Sequence, residues 1–210
     1  MRVYERNLPH WRQDGATYFV TFRLADSLPQ SKLEELRVLK SEWERQNPPP
    51  RSYESLDEIA REMFRRIEGW LDQGLGCCAL KESRCSNVIV EAMHSCDGVD
   101  YELGCYVVMA NHVHLIVRPL IPSENDLELI LGKWKGCSAR EINRIHGKSG
   151  TLWQQESYDR IIRDEDHLWR VIQYIGRNPK NAGLDPTKTP LWIRPEWNEL
   201  GWCFQETTQT

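Results

Sequence analysis

Hydrophobic and polar positions along this chain repeat every two residues in some stretches and every three or four in others, and these two periods set the predicted elements. Residues 16–25, ATYFVTFRLA, follow an Asp14-Gly15 turn and are rich in aromatic and β-branched side chains, which predicts a first strand. Ser31 and Glu34 form a capping box ahead of Leu33, Leu36, Leu39 and Trp43, predicting an amphipathic helix that ends before Asn47 and three prolines. A second box, Ser55 with Glu58, opens a helix with Ile59, Met63, Ile67 and Trp70 on one face, closing near Gly74. Residues 82–96 read as another helix, and YELGCYVVMA and HVHLIVRP as two strands that meet at Ala110 and Asn111 in an antiparallel hairpin. Leu127, Ile130, Trp134 and Ile145 mark a long helix over about 124–146, and a Gly-Lys-Ser-Gly turn leads into LWQQESYDRIIR, a strand. Asp164 caps a last helix with the stripe Leu168, Val171, Ile172 and Ile175, which Pro179 stops. This order predicts an α+β fold of ferredoxin-like type, an antiparallel sheet with helices packed on one face. It occupies one domain over 1–184, with a helical insertion at about 47–80 and a C-terminal tail over 185–210.

A 40% hydrophobic fraction with nine tryptophans over 210 residues suits a soluble globular protein with a sizeable core. No apolar run reaches membrane-spanning length, and MRVYERNLPHW is charged where a secretory signal needs an apolar core, so the expected location is the cytoplasm. Seven cysteines form an odd set with no C-x-x-C pair, which points to reduced thiols rather than a disulfide framework or a structural zinc site. A net charge of -4 does not advertise nucleic-acid binding, since proteins that coat DNA by charge alone are usually basic overall. The distribution adds to this: residues 31–75 hold eight Lys or Arg against ten Asp or Glu, whereas residues 131–184 hold ten against six. The anion-facing surface therefore belongs to the second half.

His112 and His114 stand two apart in the run CYVVMANHVHLIVRP. On a strand both imidazoles face one way, about 6–7 Å apart along the backbone, a chelating separation for one cation. A pair of surface histidines would have the same pattern. On the last helix, Tyr174 and Asn178 are four apart and share a face, although a boundary aromatic and a helix terminator before Pro179 would look alike. Together the four residues offer two imidazoles, a carbonyl oxygen and a phenol, the groups needed for metal-assisted attack by tyrosine on a phosphodiester. A cupin-like metal hydrolase is the rival reading, but His10, His94, His146 and His167 fall in the N-terminal segment or on helices, and there are too few strands for a barrel.

VMANHVHLIVRP and LWQQESYDRIIRDEDHLWRVIQYIGRNPKNAGL resemble the HUH single-tyrosine transposases, specifically the REP-associated tyrosine transposases, and LPHWRQDGATYFVTFRLADSLP resembles the opening of one branch of that group. The resemblance covers roughly residues 7–28 and 101–184. It implies that His112 and His114 bind a divalent metal, Mg2+ or Mn2+, that Tyr174 is the nucleophile, and that Asn178 supplies the third ligand. Asn178 stands where related insertion-sequence enzymes have Gln, Ala110 where many relatives have Pro, and Lys180-Asn181 where Val-Lys or Val-Arg is commoner. The implied reaction nicks and rejoins single-stranded DNA beside palindromic hairpins through a 5′-phosphotyrosine link, by a monomer or homodimer. A domesticated relative that binds the hairpin without cutting it is the alternative. Lys133, Lys135, Arg140 and Arg144 on the long helix and Arg160, Arg163, Arg170 and Arg177 near the nucleophile are candidate phosphate contacts, and Trp134 and Trp153 could stack on unpaired bases. Tyr158 is the competing nucleophile, on a strand with no ligand four residues on, and reads as structural or DNA-facing.

Overall fold

In the computed structural model, which describes residues 2–5, 9–120 and 127–205, the chain runs through seven strands and six helices in the described segments. A small hairpin of β1 (Arg2–Glu5) and β2 (Pro9–Arg12) precedes β3 (Tyr18–Arg23), α1 (Gln30–Gln46), α2 (Tyr53–Leu71) and α3 (Ser83–His94). Then come β4 (Tyr101–Val108), β5 (His112–Pro119), α4 (Leu127–Ile145), β6 (Tyr158–Ile161), α5 (Glu165–Asn181), β7 (Leu191–Ile193) and α6 (Pro195–Glu199). The main sheet has the order β6-β3-β5-β4-β7, with every neighbouring pair antiparallel. Leaving β7 aside, this is the ferredoxin-like arrangement, in which the first and third strands lie at the centre. The fold is α+β, as the element order predicts.

The helices cover both faces of the sheet rather than one. Crossover helices α3 and α4 share one face, where Ile89, Met93, Ile130, Trp134 and Ile142 pack on Val20, Phe22, Leu115 and Val117. Helices α1, α2 and α5 cover the other, where Leu36, Ile59, Met63, Ile172 and Ile175 pack on Phe19, Cys105, Val107 and Ile116. The cause lies in the central strands. All six residues of β3 are buried, as are the first six of β5, polar Thr21, Arg23, His112 and His114 included, so neither strand leaves a face for water.

Several boundaries move for local reasons. The first helix begins after Pro29 with no side-chain cap, so Ser31 and Glu34 form no capping box. Ser52, not Ser55, caps α2, its hydroxyl accepting from the Ser55 amide. Asp164 does cap α5, accepting from the His167 amide. Pro179 lies inside α5 and does not stop it, because the carbonyls of Asn178 and Pro179 accept from Ala182 and Leu184 and carry the turn past the missing amide. Of the strand expected across 152–163, only Tyr158–Ile161 pairs in the sheet, with Trp153 making a lone bridge to Leu24. Residues beyond 184 add β7 to the edge at β4, and the Trp197 ring of α6 closes over Gly104, where a Cβ would stand 2.2 Å from it. The predicted helix start at 124–126 lies outside the described residues, as do positions 7 and 8 of the N-terminal stretch and 206–210 of the tail. Within the described residues, no helix is long and apolar enough to cross a membrane.

Candidate active site

Strand β5 points its even-numbered side chains toward the face under α2 and α5, so His112 and His114 share that side with Ile116. Both are buried, at 1% and 0% exposure. The Asn111 side-chain amide donates to the carbonyls of Leu71 and Leu75, which turns its Oδ1 to His112 Nδ1 at 2.7 Å. The Nδ1 of His112 must therefore carry the proton, and its Nε2 lone pair faces the pocket. Thr21, paired with His114 in the β3–β5 ladder, sets its Oγ1 2.7 Å from His114 Nδ1. The two Nε2 atoms end up 2.9 Å apart. Burial first, and the neighbouring His114 second, push the His112 imidazolium down to about 3, so the ring is neutral at ordinary pH.

Helix α5 sits over this pair. The Tyr174 ring lies edge-on to His114 and to Phe19, and its Oη is 3.4 Å from His114 Nε2. One turn on, Asn178 is buried beside His112 and Tyr174. The four residues singled out from sequence thus converge on one pocket.

A fifth group joins them. Glu68 of α2 accepts the hydrogen bond of the Tyr174 hydroxyl through Oε2, which also lies 3.1 Å from His114 Nε2. Burial, then the charge of Glu68, raise the phenol far above its ordinary range. Burial also opposes ionisation of Glu68, but His114 and His112 and the Tyr174 hydroxyl together hold it below its usual value. Glu68 comes from the predicted helical insertion, in which the sequence reading names no site residue. The available signal was a carboxylate three residues before Leu71 and four after Phe64, inside an apolar stripe.

The pocket fits a hard divalent cation. Asn178 Oδ1 and Glu68 Oε1 are both buried without a hydrogen-bond partner, a state that buried acceptors rarely hold. His112 Nε2 and Glu68 Oε2 lie 2.9 and 3.1 Å from His114 Nε2, so these donor atoms are close enough together to share one cation.

The remaining candidates lie elsewhere. Tyr158 stacks on Phe64 at 4.0 Å, with burial raising its phenol, and belongs to the packing under α2. Trp134 and Trp153 are core residues, their indole N–H groups donating to Tyr101 Oη and Ser138 Oγ, so neither offers a face to bases. Lys133, Arg140 and Arg144 stand on α4, across the sheet from the histidines; Lys133 pairs with Asp100 and Arg144 with Glu141. Lys135 Nζ donates to Gln154 O, Gln155 O and Ser157 Oγ. Arg160 and Arg163 pair with Asp57 of α2 at 3.5 and 3.2 Å. Arg170 and Arg177 are exposed on α5, four residues before Tyr174 and three after it, on its face of the helix.

Strand-borne imidazoles thus face a helix-borne phenol on a ferredoxin-like sheet. Residues 81–178 match the family described as "Transposase IS200 like", a span that includes His112, His114, Tyr174 and Asn178. No curated protein matches the chain. A solved structure, described as "Structure of the REP associates tyrosine transposase bound to a REP hairpin", has a TM-score of 0.45 and 16% identity, covering 88% of this chain and 76% of that one.

Proposed function

We propose that this protein nicks and rejoins single-stranded DNA at or beside palindromic hairpins, through a covalent 5′-phosphotyrosine intermediate formed by Tyr174. The observation that carries the reading is the meeting of the Tyr174 hydroxyl with His114 beside the unpartnered Asn178 oxygen. His112, His114 and Asn178 would hold Mg2+ or Mn2+, which when bound supplies Lewis-acid polarisation of the scissile phosphate.

The residues of the chain then divide the remaining work. Tyr174 Oη forms the bond to phosphorus as the bond from phosphorus to the 3′ oxygen breaks; that oxygen takes a proton from water and leaves as a 3′ hydroxyl, and the reverse step, which returns that proton to water, rejoins the strand without an external energy source. Glu68 Oε2, which accepts the phenol's hydrogen bond, is within reach of the proton that leaves as Oη attacks, and the same proton can return to the phenol on rejoining. Phe19 and His114 hold the ring edge-on and fix the direction of attack. Arg170 and Arg177, flanking Tyr174 on the exposed side of α5, are the basic residues we favour for phosphate contact. The arginines and lysines of α4 face away from the pocket and would touch only a more distant part of the DNA.

A labelled single strand carrying a hairpin, incubated with the protein and Mn2+ and run on a denaturing gel, tests the proposal. A covalent adduct is expected with the native chain and with Tyr158→Phe, and none with Tyr174→Phe. An adduct that survives Tyr174→Phe overturns the assignment, and tight hairpin binding with no adduct leaves a hairpin-binding protein without cleavage.

A further inference from the structure

We infer that Glu68 is itself a ligand of the divalent cation in this pocket, so that the helical insertion is part of the metal centre; the inference rests on the reading that the pocket takes Mg2+ or Mn2+. The carboxylate reaches the histidines from α2, more than forty residues earlier in the chain, and is 8% exposed. One ligand atom each from Glu68, His112 and His114 lie within 4.8 Å of one another. Oε2 faces His114 Nε2, while Oε1 is buried with no hydrogen-bond partner. A buried carboxylate oxygen left bare is costly unless something positive meets it.

The chemistry of the donor set favours the same conclusion. Two neutral imidazoles and an amide oxygen carry no negative charge, and such a set suits Mn2+ better than Mg2+, which prefers oxygen and usually takes at least one carboxylate. Glu68 supplies that charge and a second hard oxygen. Asp72, at the C-terminal end of α2, also has a buried Oδ1 without a hydrogen-bond partner. Glu68, His112, His114 and Asn178 would be the protein ligands of the cation. Helix α2 would then be tied to β5 and α5 by the ion.

Titration of MnCl2 and MgCl2 into the full-length, DNA-free protein by calorimetry reads this directly, with the native chain, His112→Ala and Glu68→Gln side by side. Glu68→Gln, close in shape, is expected to weaken Mn2+ at least about tenfold, and Mg2+ more than Mn2+. Native-like affinity in Glu68→Gln, with affinity lost in His112→Ala, overturns the inference and leaves the cation pocket standing. No Mn2+ binding by the native chain overturns both. Hydrogen exchange on the unsubstituted protein decides the matter if Glu68→Gln does not fold: added Mn2+ should protect the amides of residues 53–71, whereas protection confined to β5 and α5 contradicts a ligand on α2.

Discussion

Asn111 shows how much of the pocket depends on a residue that touches no substrate. Its amide N–H groups are taken by Leu71 O and Leu75 O, and the oxygen that remains selects the tautomer of His112. Asn111→Ala removes both effects at once. It should lower Mn2+ affinity about 10–100-fold and destabilise the fold by about 1–3 kcal/mol, the cost of stranding buried partners; calorimetry and a denaturant titration would measure these, and unchanged Mn2+ affinity would mean that the tautomer is set otherwise. At this scale the sequence was informative where spacing is local. His112 with His114, and Tyr174 with Asn178, are each separated by a fixed backbone period, so each pair can be read without tertiary structure. Glu68 could not be paired with them that way, because its approach depends on how α2 lies across the sheet, and no short-range period encodes that.

Helix α2 is held by more than its apolar stripe. Asp57, 3% exposed, accepts from Arg61 on its own helix and pairs with Arg160 of β6 and Arg163 just beyond it. Burial opposes ionisation of this carboxyl, but the three arginines outweigh it and hold the group below its ordinary value. A carboxyl depressed on folding contributes stability above its unfolded value of about 3.9, and that contribution is lost as pH falls below it. Asp57→Asn should therefore cost about 1–3 kcal/mol at pH 7, with the gap from the native chain closing in urea melts below about pH 4. A gap that stays constant from pH 7 to 3 would show that the charge is not what matters. The same pairing explains why Arg160 and Arg163 serve the insertion at least as directly as any DNA. Element types were legible from periodicity throughout, whereas starts and stops were not: serine can cap from several neighbouring positions, and a proline in the last turn removes only one hydrogen bond.

Seen whole, the molecule is a ferredoxin-like sheet with two covered faces, α3 and α4 giving structural support on one and α1, α2 and α5 enclosing the chemistry on the other. The α+β class followed from the order of elements, but the second covered face was hidden because the polar residues of β3 and β5, Thr21, Arg23, His112 and His114, give no sign in sequence that they are buried. The role of the tail was hidden for a related reason: β7 is three half-buried residues, too short for a period to register. The central claim is that imidazoles, amide oxygen and phenol surround one cation. Anomalous diffraction from crystals of the protein grown with Mn2+ tests it most directly. We predict a single strong peak within bonding distance of His112 Nε2, His114 Nε2 and Asn178 Oδ1, with Tyr174 Oη beside it; a fully occupied Mn2+ elsewhere, with this pocket empty, would contradict the account.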